Sequence, residues 1–186
     1  FLAGNDLPER FRPGFHIAEL GFGTGLNLLL AWDAWMRTGL DGPLQFTSFE
    51  AYPMRPEDMA QAHAAFPALD GRRDALTAAW DGTGGVLELP GLRAEIIIGD
   101  ARQALPAWQG QVDAWFLDGF SPAKNPELWG DALMAEVARH TAPSGTAATY
   151  TAAGFVRRAL SAGGFEVTRI PGYGRKRHMT RARMPA

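Results

Sequence analysis

Four acids sit where apolar runs end, and two of them adjoin glycine. Glu19 lies two residues ahead of a loop with glycines at 21, 23 and 25. Glu50 closes Leu44-Gln-Phe-Thr-Ser-Phe, Asp100 follows Ile98-Gly99, and Asp118 closes Val112-Asp-Ala-Trp-Phe-Leu and precedes Gly119. A carboxylate at a strand end accepts hydrogen bonds from ligand hydroxyls or amines, and a partly buried one can take a proton. Metal chemistry is not expected. There is no cysteine, and His16, His63, His140 and His178 show no ligand spacing.

The acids need a scaffold that brings strand ends together. Phe15 to Leu20 reads as a buried strand, interrupted by Glu19, that breaks into glycines and resumes as the helix-like Leu26-Asn-Leu-Leu-Leu-Ala-Trp32. A strand turning through glycines into a helix N-terminus is the local geometry of a nucleotide-cofactor loop, although a tight ligand-free turn has the same local sequence. Dinucleotide folds place the third glycine five residues after the first, whereas here the glycines occupy first, third and fifth positions. That spacing disfavours a nicotinamide oxidoreductase.

The pattern Glu-x-Gly-x-Gly-x-Gly resembles motif I of the class I S-adenosylmethionine-dependent methyltransferases. The resemblance implies that Glu19, Gly21, Phe22, Gly23, Gly25 and Asn27 surround the amino-acid end of the cofactor. Glu50 lies about 25 residues beyond the loop, where an acid accepts from both ribose hydroxyls, and Ala51 follows it. Asp100 and Ala101 are placed to meet the adenine, and Asp100 serves equally well as a helix N-cap.

Strands alternating with helices indicate an α/β, Rossmann-like, mostly parallel sheet with helices on both faces. Seven strands are expected, with one antiparallel strand at the Phe165–Ile170 and 178–182 end. Val86–Leu89 and Leu92–Ile98 read as a hairpin about Pro90-Gly91. Helices are expected near 26–37, 55–65, 71–80, 102–105, 127–140 and 153–162, and residues 1–14 as loop. With 186 residues, 46% hydrophobic and 20% charged, one globular domain accounts for the whole chain. No apolar run approaches the roughly 20 residues of a membrane span. The absence of cysteine fits a cytoplasmic protein. The start at Phe1 reads as a trimmed piece of a longer protein.

The segment after the fourth core strand is more specific than the glycine loop. Asp113-Ala-Trp-Phe-Leu-Asp-Gly-Phe-Ser-Pro-Ala-Lys-Asn-Pro-Glu-Leu-Trp129 resembles the methyltransferase domain of the MnmC family. The likeness continues through Phe11, Glu19 to Asn27, Phe49-Glu-Ala-Tyr-Pro53, Gly99-Asp100, Thr151-Ala-Ala-Gly-Phe-Val-Arg-Arg158 and Gly172-Tyr-Gly-Arg-Lys-Arg177. It implies S-adenosyl-L-methionine-dependent methylation of the primary amine of 5-aminomethyl-2-thiouridine at the tRNA anticodon wobble position. It also implies a fused or partner FAD-dependent oxidase; no second glycine fingerprint occurs here. Family members usually have an acid where this chain has His178.

On that reading Asp118 is the catalytic carboxylate or a ligand of the cofactor's amino group. Phe120 stacks on the extruded base or packs in the core, and Lys124 meets a phosphate or only solvent. The net charge of −2 does not mark a nucleic-acid binder, but eight of eighteen Lys and Arg residues lie between Arg157 and Arg183, where Glu166 is the only acid. Arg157, Arg158, Arg175, Lys176 and Arg177 are therefore candidates for the anticodon stem-loop phosphates. A methyltransferase for a small amine is the alternative.

Overall fold

The strand β1 (His16–Leu20) is paired on both sides, to β2 (Leu44–Glu50) and to β5 (Val112–Leu117), parallel in each case. It is the centre from which the computed structural model, which describes residues 1–119, 121–174 and 176–186, builds one sheet. On the β2 side follow β4 (Leu92–Ile98), parallel, and β3 (Gly85–Leu89), antiparallel at the edge. On the β5 side follow β6 (Thr141–Thr149), parallel, then β8 (His178–Arg183), antiparallel to both neighbours, and β7 (Glu166–Pro171). The order is β3-β4-β2-β1-β5-β6-β8-β7.

This corrects the expected count of seven strands to eight, and of one antiparallel strand to two. The extra strand is the first arm of the hairpin about Pro90-Gly91. That arm extends the β4 edge rather than standing off as a loop.

The central strands carry almost continuous apolar runs because both faces are covered. Phe46, Ala114 and Phe116 face one core with Leu28, Leu29, Trp32 and Trp35 of α1 (Leu26–Thr38). Met59 of α2 (Pro56–His63) and Leu76 of α3 (Asp70–Ala79) join them. Leu20, Trp115 and Leu117 face the other core with α4 (Ala101–Ala107), α5 (Asp131–Arg139) and α6 (Gly154–Ala162). α4 runs one residue past Pro106, where a proline removes only a bond at the fraying end. The expected 127–140 helix is split: Pro126–Trp129 is a 3₁₀ turn, and extended Gly130 (φ −74°, ψ 159°) separates it from α5.

Residues 1–14 are more firmly held than a loop. The buried Asn5 side chain donates to the Trp115 carbonyl at 3.2 Å and accepts from Thr146 Oγ1 at 2.6 Å. Among the described residues, no helix is long and apolar enough to cross a membrane.

Candidate active site

The chain leaves β1 for β2 on one side and reaches β5 on the other, so the strand order reverses between the parallel strands β1 and β5. That switch point, beyond the C-terminal strand ends, is where open α/β sheets bind ligands. A cleft of about 890 Å³ lies there, lined from the ends of β1, β2, β4, β5 and β6. Gly21, Phe22, Gly23, Asn27, Glu50, Ala51, Asp100, Ala101 and Asp118 all border it. Most of the expected cofactor set is therefore brought together; Glu19 lies beneath it, fully buried, and Gly25 does not border the cleft, since a Cβ there would meet Phe22 and Leu76.

The glycine loop is fitted to its neighbours. Gly21 has φ +92°, donates its N–H to the Phe49 carbonyl at 2.9 Å, and a Cβ there would stand 2.9 Å from the Asp118 carbonyl oxygen. Any side chain would push the β1 and β5 ends apart. At Gly23 (φ +53°) a Cβ would meet nothing within 4 Å, so its missing side chain keeps the cleft side open. Phe22 is buried and packs on Trp80 at 5.1 Å between ring centres, pinning the loop to the C-terminal end of α3.

Beneath the loop runs a polar chain. Ser48 Oγ donates to Glu19 Oε2 at 2.9 Å. Asn27 Nδ2 donates to Glu19 Oε1 at 2.7 Å and to Asp118 Oδ2 at 2.8 Å. Burial pushes the Glu19 carboxyl well above the usual carboxylate range, against the opposing effect of its Asn27 and Ser48 hydrogen bonds. Asp118 is raised for the same reason, again opposed by Asn27. Among the described residues Asp118 Oδ1 has no hydrogen-bond partner, so the cleft-facing carboxylate keeps an oxygen for a ligand.

Glu50 accepts from the Gly23 N–H at 2.9 Å through Oε2 and from the Tyr52 N–H at 2.7 Å through Oε1. Each oxygen retains a lone pair for a ligand hydroxyl. Asp100 caps α4, accepting from the Arg102 N–H at 2.9 Å, and its carboxylate also receives the Arg102 guanidinium. Those bonds hold its pKa below the usual value. The cap is thus present, and an adenine amine would share Asp100 with Arg102.

Sequence reasoning missed several lining residues. Tyr150, just beyond β6, donates its hydroxyl to the Gly119 carbonyl at 2.7 Å, and burial followed by the Asp118 charge raises its pKa. Lys176 Nζ sits 5.3 Å above the Tyr150 ring. Ser121, Asn125, Tyr52 and Arg102 also border the cleft. The only advance signal for Tyr150 was an aromatic at the end of a strand already assigned to the sheet. Ser48 stood out only as a polar residue within an apolar strand.

Among the proposed RNA contacts, Lys124, Arg158, Lys176 and Arg177 are exposed and Arg157 is half-buried. Lys124 does not border the cleft. Phe120 and Arg175 lie outside the described residues. Arg181 and Arg183, part of the same basic run, both pair with Asp6 instead, which neutralises part of that charge.

Residues 76–185 match the model of a family described as S-adenosyl-L-methionine-dependent methyltransferases. The chain belongs to that family. The matched span contains Asp100, Asp118 and Tyr150 but begins after the glycine loop, so motif and family match are separate observations. The tRNA 5-methylaminomethyl-2-thiouridine biosynthesis bifunctional protein MnmC of Caulobacter vibrioides is 45% identical over 193 residues, covering 100% of this chain and 33% of that protein. Its counterpart from Chromobacterium violaceum is 44% identical, covering 97% of this chain and 29% of that protein. The crystal structure of MNMC2 from Aquifex aeolicus aligns with a TM-score of 0.75 at 28% identity, covering 100% of this chain and 60% of that one. The resemblance to the MnmC methyltransferase domain is borne out, and this chain spans about a third of the length of those curated relatives.

The cleft suits the family's cofactor. Its volume falls within the range of small-molecule sites. The open backbone at Gly23 borders the cleft, and so do three separate carboxylates, acceptors suited to a ligand that carries hydroxyl and amino groups.

Proposed function

We infer that this methyltransferase domain acts on the aminomethyl group of 5-aminomethyl-2-thiouridine at the wobble position of tRNA, giving the 5-methylaminomethyl product. The observation that supports the reading is the meeting of a carboxylate and a basic hairpin at one cleft, through Tyr150. Tyr150 borders the cleft with Asp118 and bears Lys176 on its ring. The names of the curated relatives support the same substrate. A cytoplasmic site of action and a fused or partner oxidase, as in bifunctional relatives, belong to the same proposal.

S-adenosyl-L-methionine, when bound, supplies an electrophilic methyl group. Glu50 would hold the ribose, the glycine loop the amino-acid end, and Asp100 with Ala101 the adenine side. The chain's own chemical task is with the acceptor. An alkyl ammonium has a pKa of about 10, like lysine, so at neutral pH its nitrogen carries no free lone pair. Asp118 Oδ1 would orient the amine and take its proton, with Oδ2 held by the Asn27 amide. Burial makes Asp118 a stronger base than a solvated aspartate. The rest is proximity and alignment.

The test is incubation with labelled S-adenosylmethionine and tRNA from cells lacking the modification, followed by nucleoside analysis. Label in 5-methylaminomethyl-2-thiouridine is the expected result. Label in free amines and none in tRNA would overturn the substrate in favour of a small amine.

A further inference from the structure

The hairpin joining β7 to β8 carries a tyrosine with no packing role. Tyr173 is 92% exposed, the most exposed of the large hydrophobic residues among those described. The turn beneath it is hydrogen-bonded. The ladder continues to the pair Pro171–His178, Gly172 N–H donates to the Arg177 carbonyl at 3.1 Å, and Lys176 N–H donates to the Tyr173 carbonyl at 3.2 Å. A Cβ on Gly172 would stand 2.1 Å from the Lys176 carbonyl oxygen, so the tight turn needs glycine there. A hydrogen-bonded turn thus presents an aromatic ring to solvent.

Its surroundings identify what would cover it. β7 runs parallel to β6, so its end at Pro171 lies on the same edge of the sheet as the β6 end and the cleft. Lys176, three residues from Tyr173, rests on the ring of cleft-lining Tyr150. Lys176 and Arg177 are exposed, and Glu166, the only acid after His140, stands at the opposite end of β7. A solvent-exposed aromatic beside exposed cations fits a nucleotide chain: the ring stacks on a base and the cations meet phosphates. An apolar protein partner would be matched by more hydrophobic surface than one ring.

We propose that Tyr173 is a stacking platform for a base neighbouring the methylated nucleotide, holding the RNA loop open at the cleft mouth. The proposal rests on the RNA substrate inferred above. It assigns Tyr173 to substrate positioning, separate from Asp118 chemistry and from the cofactor.

The probe is an anticodon stem-loop RNA with 2-aminopurine replacing a nucleotide that flanks the wobble position. Its fluorescence falls when the base stacks. Binding of the probe should quench it, and Tyr173→Ala should abolish the quench and weaken affinity on the order of 10-fold. Tyr173→Trp should restore both, whereas Tyr173→Leu should restore neither. The salt dependence of binding should stay as in the parent, because no phosphate contact is lost, while Lys176→Ala should flatten it by about one unit of log–log slope. Melting curves confirm that the exposed substitutions leave the fold intact. Parental binding by Tyr173→Ala, or full rescue by leucine, overturns the stacking role and leaves the RNA substrate standing. If the parent chain itself shows no salt-dependent binding to the stem-loop and methylates no tRNA, the substrate reading fails, and stacking with it.

Discussion

One amide nitrogen of Asn27 stands 2.7 Å from Glu19 Oε1 and 2.8 Å from Asp118 Oδ2, tying a buried carboxyl beneath the glycine loop to the carboxylate that faces the cleft. The link joins the first and fourth core strand ends through the first turn of α1. Its geometry depends on a short side chain that donates twice, which aspartate and leucine cannot do.

Replacing Asn27 with leucine, similar in size, should therefore leave the buried Glu19 carboxyl and the half-buried Asp118 carboxylate each short of a donor. We expect a loss of about 1–3 kcal/mol of stability, the cost of an unsatisfied buried polar group. Urea unfolding measures it. An unchanged midpoint would show that the bridge contributes nothing.

Glu19 makes stability depend on pH in a particular direction. Its folded pKa is raised by burial, so between the ordinary carboxyl value and that raised value the folded protein binds more protons than the unfolded chain. Stability must then fall as pH rises through that window. Glu19→Gln removes the titration and keeps an acceptor for Asn27 and a donor for Ser48 Oγ. Unfolding free energies over a pH series should show the variant's curve flatter than the parent's across the window, and parallel curves would contradict the burial of a titrating carboxyl.

Much of this site was legible because its parts are local. The glycines, Glu50, Asp100 and Asp118 each sit at the end of an apolar run, and period and turn chemistry locate such ends well. What escaped was set by distant pairing. Nothing near Asn27 in sequence says that it meets Asp118, 91 residues away. Nothing near Arg181 and Arg183 says that Asp6 neutralises them. The eighth strand was visible as a hairpin arm, but whether such an arm joins the sheet depends on the neighbouring edge. The 127–140 helix was overextended because its apolar pattern continues through Trp129, while Gly130 breaks the backbone.

Glu50→Ala should weaken S-adenosylmethionine binding by roughly 1.5–3 kcal/mol, the range for hydrogen bonds to a charged group. The loss has two sources, the ribose hydroxyls and the Gly23 N–H that Glu50 holds at 2.9 Å. Calorimetry reads the total. Unchanged affinity would remove Glu50 from the cofactor site.

Lys176 and Arg177 should serve RNA and not the cofactor. Replacing both with alanine should lower the log–log salt slope of tRNA binding by about two units, nearly one per phosphate contact, with S-adenosylmethionine affinity retained. An undiminished slope would make them a solvated face.

Asp118→Asn separates chemistry from binding. The asparagine side chain keeps the shape of the carboxylate but is not a base, so turnover should fall on the order of 10²–10⁴, the usual contribution of a positioned acid–base group. An interaction that matters as nitrogen attacks lowers kcat and kcat/KM together, so KM for tRNA should move little. The parent's activity should rise with pH through the raised Asp118 pKa, since only the ionised form accepts a proton. The variant should lack that limb and gain activity only at higher pH, as the amine itself deprotonates. If Asp118 instead holds the cofactor's amino group, the substitution weakens S-adenosylmethionine binding, and saturating cofactor restores much of the rate. Single-turnover kinetics at saturating cofactor decide between them, because a rescued rate excludes the general base.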